Sequence, residues 1–169
     1  MIWRRGDVIL TGVGPSGMRF SPDGRRLFVN VVPSLTAWDV RTGRQLYSIE
    51  TGYHGTLALS ADGRIGVTCD PFGNLRVWEA ETGQVVHTLP DRADVFEVSA
   101  DGRYAMTGGD DRTLRVWDLR TGRCVHTLEG HPTFITMVMF SADGHQVVSA
   151  DATPAIRLWE LDWDYDFAP

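Results

Sequence analysis

Lysine is absent from this chain, and all 16 basic residues are arginine. No lysine amine is therefore available for acetylation or Schiff-base chemistry. Positive charge is also scarce. The arginines stand against 22 acidic residues, giving a net charge of −6, and no basic run exceeds two residues. Nonspecific nucleic-acid binding needs clustered positive charge and is disfavoured. Cysteine is limited to Cys69 and Cys124, far apart and in no metal-like spacing. Such sparse cysteine fits a reducing compartment and two unpaired thiols, buried or half-buried. No apolar run approaches the roughly 18 residues that a membrane span needs. The opening MIWRRGDVIL has no signal-peptide apolar region, so a cytoplasmic location is expected. No stretch sustains a 3.6-residue apolar period with caps, which argues against helices. There is no Gly-rich phosphate loop, no Gly-x-Ser-x-Gly elbow and no credible Cys–His pair.

What is present is repetition. The chain has 169 residues, 43% of them hydrophobic, enough for one domain with a sizeable core. Leu114–Arg123 reads LRVWDLRTGR. Near copies stand at 35–44 (LTAWDVRTGR) and 75–84 (LRVWEAETGQ), with an altered one at 156–162 (IRLWELD). Trp38, Trp78, Trp117 and Trp159 are separated by 40, 39 and 42 residues. A period in this range marks a repeat architecture. A second marker runs in phase: SPDGR, SADGR, SADGR and SADGH, with Asp23, Asp62, Asp101 and Asp143 separated by 39, 39 and 42. Asp-Gly between apolar runs is a hairpin signal, because both residues tolerate positive φ. Thr42-Gly43, Thr82-Gly83 and Thr121-Gly122 form a third marker. Each repeat therefore reads as four short strands. In the third they fall at about 95–99, 104–107, 113–119 and 123–128. The nearly all-apolar run Thr136–Phe140 suggests an inner strand covered on both faces.

On these three markers the chain resembles the WD-repeat family of β-propellers. Its lysine-free composition is associated with GC-rich bacterial genomes, which suggests a bacterial member. The resemblance implies an all-β fold of four four-stranded antiparallel blades, at about 17–50, 56–89, 95–129 and 135–167. The whole chain, 1–169, would be one propeller segment. Family rings usually close at about seven blades, within a general range of four to eight. Three arrangements follow. Two chains pair into an eight-blade ring, the chain is part of a longer propeller, or four blades close alone. Residues 7–12, after the remnant motif at Trp3, compete with 162–167 for the outer strand of the fourth blade. The tail LWELDWDYDF is also similar to propeller ends in large bacterial multidomain proteins.

The family pattern implies a buried structural network of Trp, Ser or Thr, His and a turn Asp in each blade. Carried over by residue, the fourth blade offers His131, Ser149 and Trp159, with Thr153 where the turn Asp is sought. The third offers Thr107, Asp111 and Trp117, with Leu89–Arg92 replacing Gly-His. The second offers Thr68 and Trp78, with His54 poorly aligned. The first offers Trp38 alone. No blade has the full set on this reading. His87 and His126 sit at equivalent outer-strand places, apart on the rim, which does not make a metal site. Asp91, Asp94, Asp110 and Asp111 read as turn formers rather than a carboxylate dyad. No catalytic residue, metal site or cofactor is expected.

The remaining surface carries the functional expectation. Loops entering the inner strands place Gly14, Tyr53, Arg92 and Phe134 at one end, with Asp110 beside them. Tyr53, Arg92, Asp110 and Phe134 are the candidate partner-binding residues, since aromatic and Arg side chains anchor interfaces. The expected function is non-enzymatic protein–protein interaction or scaffolding, with protein partners and no nucleic acid or membrane. Two alternatives stand beside it: a regulatory or sensor segment of a larger bacterial signalling or NTP-hydrolysing protein, and, more remotely, a propeller enzyme.

Overall fold

In the computed structural model the structure describes residues 17–161 apart from 32, 52–55, 71 and 154. The described residues hold strands and turns and no helix. Three sheets have four strands each, in chain order. The first holds β1 (Gly17–Phe20), β2 (Arg26–Val31), β3 (Ser34–Asp39) and β4 (Gln45–Glu50). The second holds β5 (Leu57–Leu59), β6 (Ile65–Cys69), β7 (Leu75–Glu79) and β8 (Val85–Leu89). The third holds β9 (Val95–Val98), β10 (Tyr104–Gly108), β11 (Leu114–Asp118) and β12 (Arg123–Leu128). Of the fourth sheet, three strands fall among the described residues. Its described strands are β13 (Ile135–Phe140), β14 (Gln146–Asp151) and β15 (Ile156–Glu160), since the described chain ends at Leu161. Both candidate closing segments, 7–12 and 162–167, lie outside the described residues. All pairings are antiparallel.

The turns explain why the markers recur. In all four sheets the Ser hydroxyl donates to the Asp two residues on, at 2.6, 2.6, 2.6 and 2.5 Å. That Asp also accepts the backbone N–H of Arg25, Arg64, Arg103 or His145. The Asx turn and the positive-φ glycine after it join inner to second strand. Asp39 and Asp118 serve the Trp-Asp motif differently. They cap the Thr-Gly turn by accepting the N–H groups of Thr42 (2.6 Å) and Thr121 (3.0 Å). In the first three sheets the pairing of third and outer strands shifts register just before the tryptophan, leaving Leu46, Val86 and Val125 as the extra residues of bulges in the outer strands.

The sheets are blades, stacked face to face. β1 meets β5, β5 meets β9 and β9 meets β13, so the inner strands stand side by side in chain order. Among the described residues the arc is open between the fourth and first blades. Each core lies between two blades. Phe28, Leu35, Ala37 and Ile49 meet Leu57, Trp78 and Ala80. Val67, Leu75, Val77 and Leu89 meet Phe96, Val98, Trp117 and Leu119. Met106, Leu114 and Val116 meet Ile135, Val138, Val147 and Leu161. Gly66 is needed because Trp78 lies flat on it; a Cβ there would stand 2.2 Å from the ring. At the rim, the Tyr47 ring covers Gly83 of the next blade and its hydroxyl donates to the Ala80 carbonyl at 2.7 Å. β13 corrects one expectation. It is covered on one face, with Val138 buried while Met137 and Met139 are exposed, because it lies at the end of the arc.

Candidate functional site

The fourth blade holds a complete four-residue polar network. His131, on the loop before β13, places Nδ1 2.7 Å from Asp151 Oδ2 and Nε2 2.6 Å from Ser149 Oγ. Trp159 Nε1 donates to the same Ser149 oxygen at 2.8 Å. With the imidazole proton on Nδ1, His131 donates to Asp151 and Ser149 donates to His131, so every polar atom is satisfied. This corrects the sequence reading, which sought the acid at Thr153. β14 extends to Asp151, and the two-residue strand period puts its side chain on the face of Ser149. Thr153 instead donates its N–H and hydroxyl to Asp151. The hydroxyl bond above all, with His131 beyond it, holds the Asp151 carboxyl below the usual range.

The Ser–His–Asp connectivity matches that of a hydrolase triad, but here it is buried and shared with an indole. Ser149 is wholly buried, and His131 and Asp151 nearly so. The Ser149 oxygen already accepts from the indole.

The third blade builds its network differently. Trp117 Nε1 donates to Thr107 Oγ1 at 3.1 Å, and Thr107 donates to Asp91 Oδ2. The expected acid, Asp111, is not part of this chain of bonds. Asp91, on the loop from β8, is the buried acceptor and stands where the histidine is missing. Arg115 bridges the two acids, with Nη1 3.1 Å from Asp91 and Nη2 2.6 Å from Asp111. Asp111 is the turn former, accepting Thr113 N–H at 3.1 Å. Burial pushes its pKa up, yet bonds from Thr113 and Arg115 outweigh that and leave it below the usual range. The reading of Asp91 as a turn former is therefore corrected. The cue was its position, two residues past Leu89 at the entry to the blade.

In the second blade Thr68 Oγ1 and Trp78 Nε1 are buried and have no hydrogen-bond partner among the described residues. Trp78 is instead a packing residue, 5.6 Å between ring centroids from Phe28. In the first blade the Ser/Thr position is Val29. Its cross-strand neighbour Thr36 supplies the hydroxyl, accepting from Trp38 Nε1 at 2.9 Å.

At the end of the arc where blades are entered, the turns of the second and third blades enclose an open cleft of about 850 Å³. Arg92 and Asp110 both line it, beside Phe72, Asp94, Asp111 and Arg115. Phe134 is exposed just beyond. Its neighbour Ile135 donates to Gly109 O at 3.0 Å, and Gly109 packs on Arg92 O and Asp94. Tyr53 lies outside the described residues. Sequence counting missed Phe72, among the most exposed large apolar residues. It sits in the turn after β6, and the signal was the apolar ring in Pro71-Phe72-Gly73.

The thiols are free: Cys69 is buried, while Cys124 is exposed rather than buried or half-buried. Burial, with nearby carboxylates, pushes the Cys69 thiol up to about 12. His87 reaches the next blade, its Nε2 3.1 Å from Arg120 O. No group of three His, Cys, Asp or Glu residues suited to a metal occurs among the described residues.

In comparison with known proteins, the family model described as WD domain, G-beta repeat matches residues 83–118 and 122–160. No curated protein matches the chain.

Proposed function

The chain belongs to the WD-repeat family, and from that premise we propose that it is a non-enzymatic module whose entry-side cleft captures a protein segment. WD repeats are in general protein-interaction modules. The observation that carries the finer reading is the cleft between the second and third blades. It joins an exposed aromatic, Phe72, to the carboxylates Asp94 and Asp110 beside Arg92, with Asp111 already held by Arg115. Such a surface suits a segment with an apolar anchor flanked by positive charge. The ring packs on Phe72, and the cations meet carboxylates held by a rigid scaffold. The buried networks beneath, from Asp91 to Trp117 and from His131 to Trp159, hold the loops that shape this end.

A peptide-display selection against the intact chain tests the reading. The selected peptides are expected to pair an aromatic or aliphatic residue with Arg or Lys. Phe72→Ala with Asp110→Lys should weaken a selected peptide at least tenfold, with the melting temperature preserved. Unchanged affinity in that double variant refutes this cleft as the site.

A further inference from the structure

The two ends of the arc are made like the joints inside it. Three positions before the tryptophan stand Leu35, Leu75, Leu114 and Ile156; one position before it stand Ala37, Val77, Val116 and Leu158. In the first three blades these residues are 0% exposed, because they face the following blade. In the fourth, Ile156 is 72% and Leu158 62% exposed. Met137 and Met139 extend the same bare face. The opposite face of the first blade shows the converse. Met18 is exposed, whereas its counterparts Leu57, Phe96 and Val138 are buried against the preceding blade. Val40 is 44% exposed, whereas Ala80, Leu119 and Leu161 are buried. Phe20 is 61% exposed in the place of buried Val98. Among the described residues nothing covers either face.

Scattered exposed apolar side chains need no explanation, but two contiguous sheet faces do. The faces are of opposite kind. The fourth blade presents what an interior blade offers its successor, and the first presents what an interior blade offers its predecessor. From this we infer that the occupant of each is a second copy of this chain, the two arcs closing head to tail into an eight-blade ring.

The inference rests on continuity with the three internal interfaces. At the joint between the third and fourth blades, Glu97 accepts the Phe140 N–H at 2.8 Å. One repeat further on, the corresponding positions are Met139 of one copy and Phe20 of the other. There the carboxylate and its backbone partner are replaced by two apolar side chains that are both bare in the single chain, Met139 at 51% and Phe20 at 61% exposure, a thioether and an aromatic ring that suit one another. Ile156 and Leu158 take the place of Leu114 and Val116, and Met18 and Val40 that of Val138 and Leu161. Two arcs related by a two-fold axis satisfy both faces of both copies, so no sticky end is left to propagate. Eight blades lie within the four to eight that propellers use.

The test measures the mass of the full chain by light scattering at micromolar concentration, with circular dichroism to show folding. The expected value is twice the chain mass of 18.8 kDa. Leu158→Glu at one end and Phe20→Glu at the other should each halve it with the β spectrum retained. Arg123→Glu, exposed on the rim of an interior blade, should leave it unchanged. A wild-type monomer overturns the inference, as does an open-ended polymer. Loss of association in only one of the two end variants overturns it too, since that marks pairing of like faces. Should one variant fail to fold, the other still decides between dimer and monomer.

Discussion

Thr107→Val and Thr68→Val are the same substitution at equivalent positions of two blades, and the structure gives them opposite signs. Valine keeps the shape and replaces the hydroxyl with a methyl. At Thr107 the hydroxyl accepts from the Trp117 indole and donates to buried Asp91. Its removal leaves the indole N–H buried without an acceptor, at about 1–3 kcal/mol, and loses about 1 kcal/mol net for the bond to Asp91. Asp91 keeps Arg115 at 3.1 Å, which limits the damage. The expected cost is about 3 kcal/mol. At Thr68 the hydroxyl is buried with no partner among the described residues. Valine removes an unsatisfied group, so a gain of about 1 kcal/mol is expected. For a chain of this size these figures correspond to a melting temperature about 9 °C lower and about 3 °C higher, respectively. Urea unfolding followed by tryptophan fluorescence, at one protein concentration and with the slope checked for constancy, reads both. Equal losses at the two positions would refute the reasoning, since Thr68 would then have a partner as strong as those of Thr107.

Two further outcomes follow from packing and from pH. Gly66→Ala drives a Cβ to 2.2 Å from the Trp78 ring; displacing an indole at the joint of two blades should cost about 3 kcal/mol, read by the same urea midpoint. Asp23 and Asp143 have pKa values below the ordinary 3.8, chiefly through the hydroxyl bonds from Ser21 and Ser141. A depressed folded pKa gives stability that is fully present above the unfolded value and lost as pH falls through the folded one. Urea midpoints should therefore hold from neutral pH to about 5 and drop below it, with a shallower drop in Asp23→Asn with Asp143→Asn.

Much of the fold was legible because its signals are local. The strand limits of the third blade differ from the periodic reading by one residue at most, for instance Leu114–Asp118 against 113–119. Asp-Gly and Thr-Gly turns close within six residues on their own Ser, Asp and Thr side chains, so spacing alone locates them. The networks were only partly legible. Asp151 was passed over because the acid was sought at a fixed distance from Trp159, while the two-residue period of β14 decides which side chain faces His131. Asp91 was passed over because it bonds Thr107, 16 residues away, and Arg115, 24 away. Phe72 gained its place because the turn after β6 stands beside the loop holding Arg92.

The sequence by itself determined that this chain is a series of antiparallel four-strand units. Period-two apolar runs and turn chemistry act between residues close along the chain, and four in-phase copies leave one architecture. The tertiary structure decided which residues become core, network or surface. Leu114 is wholly buried and Ile156 is largely exposed at the same place in the repeat. The difference is the presence or absence of a neighbouring blade, and burial depends on what stands across the gap, which no spacing within one repeat records.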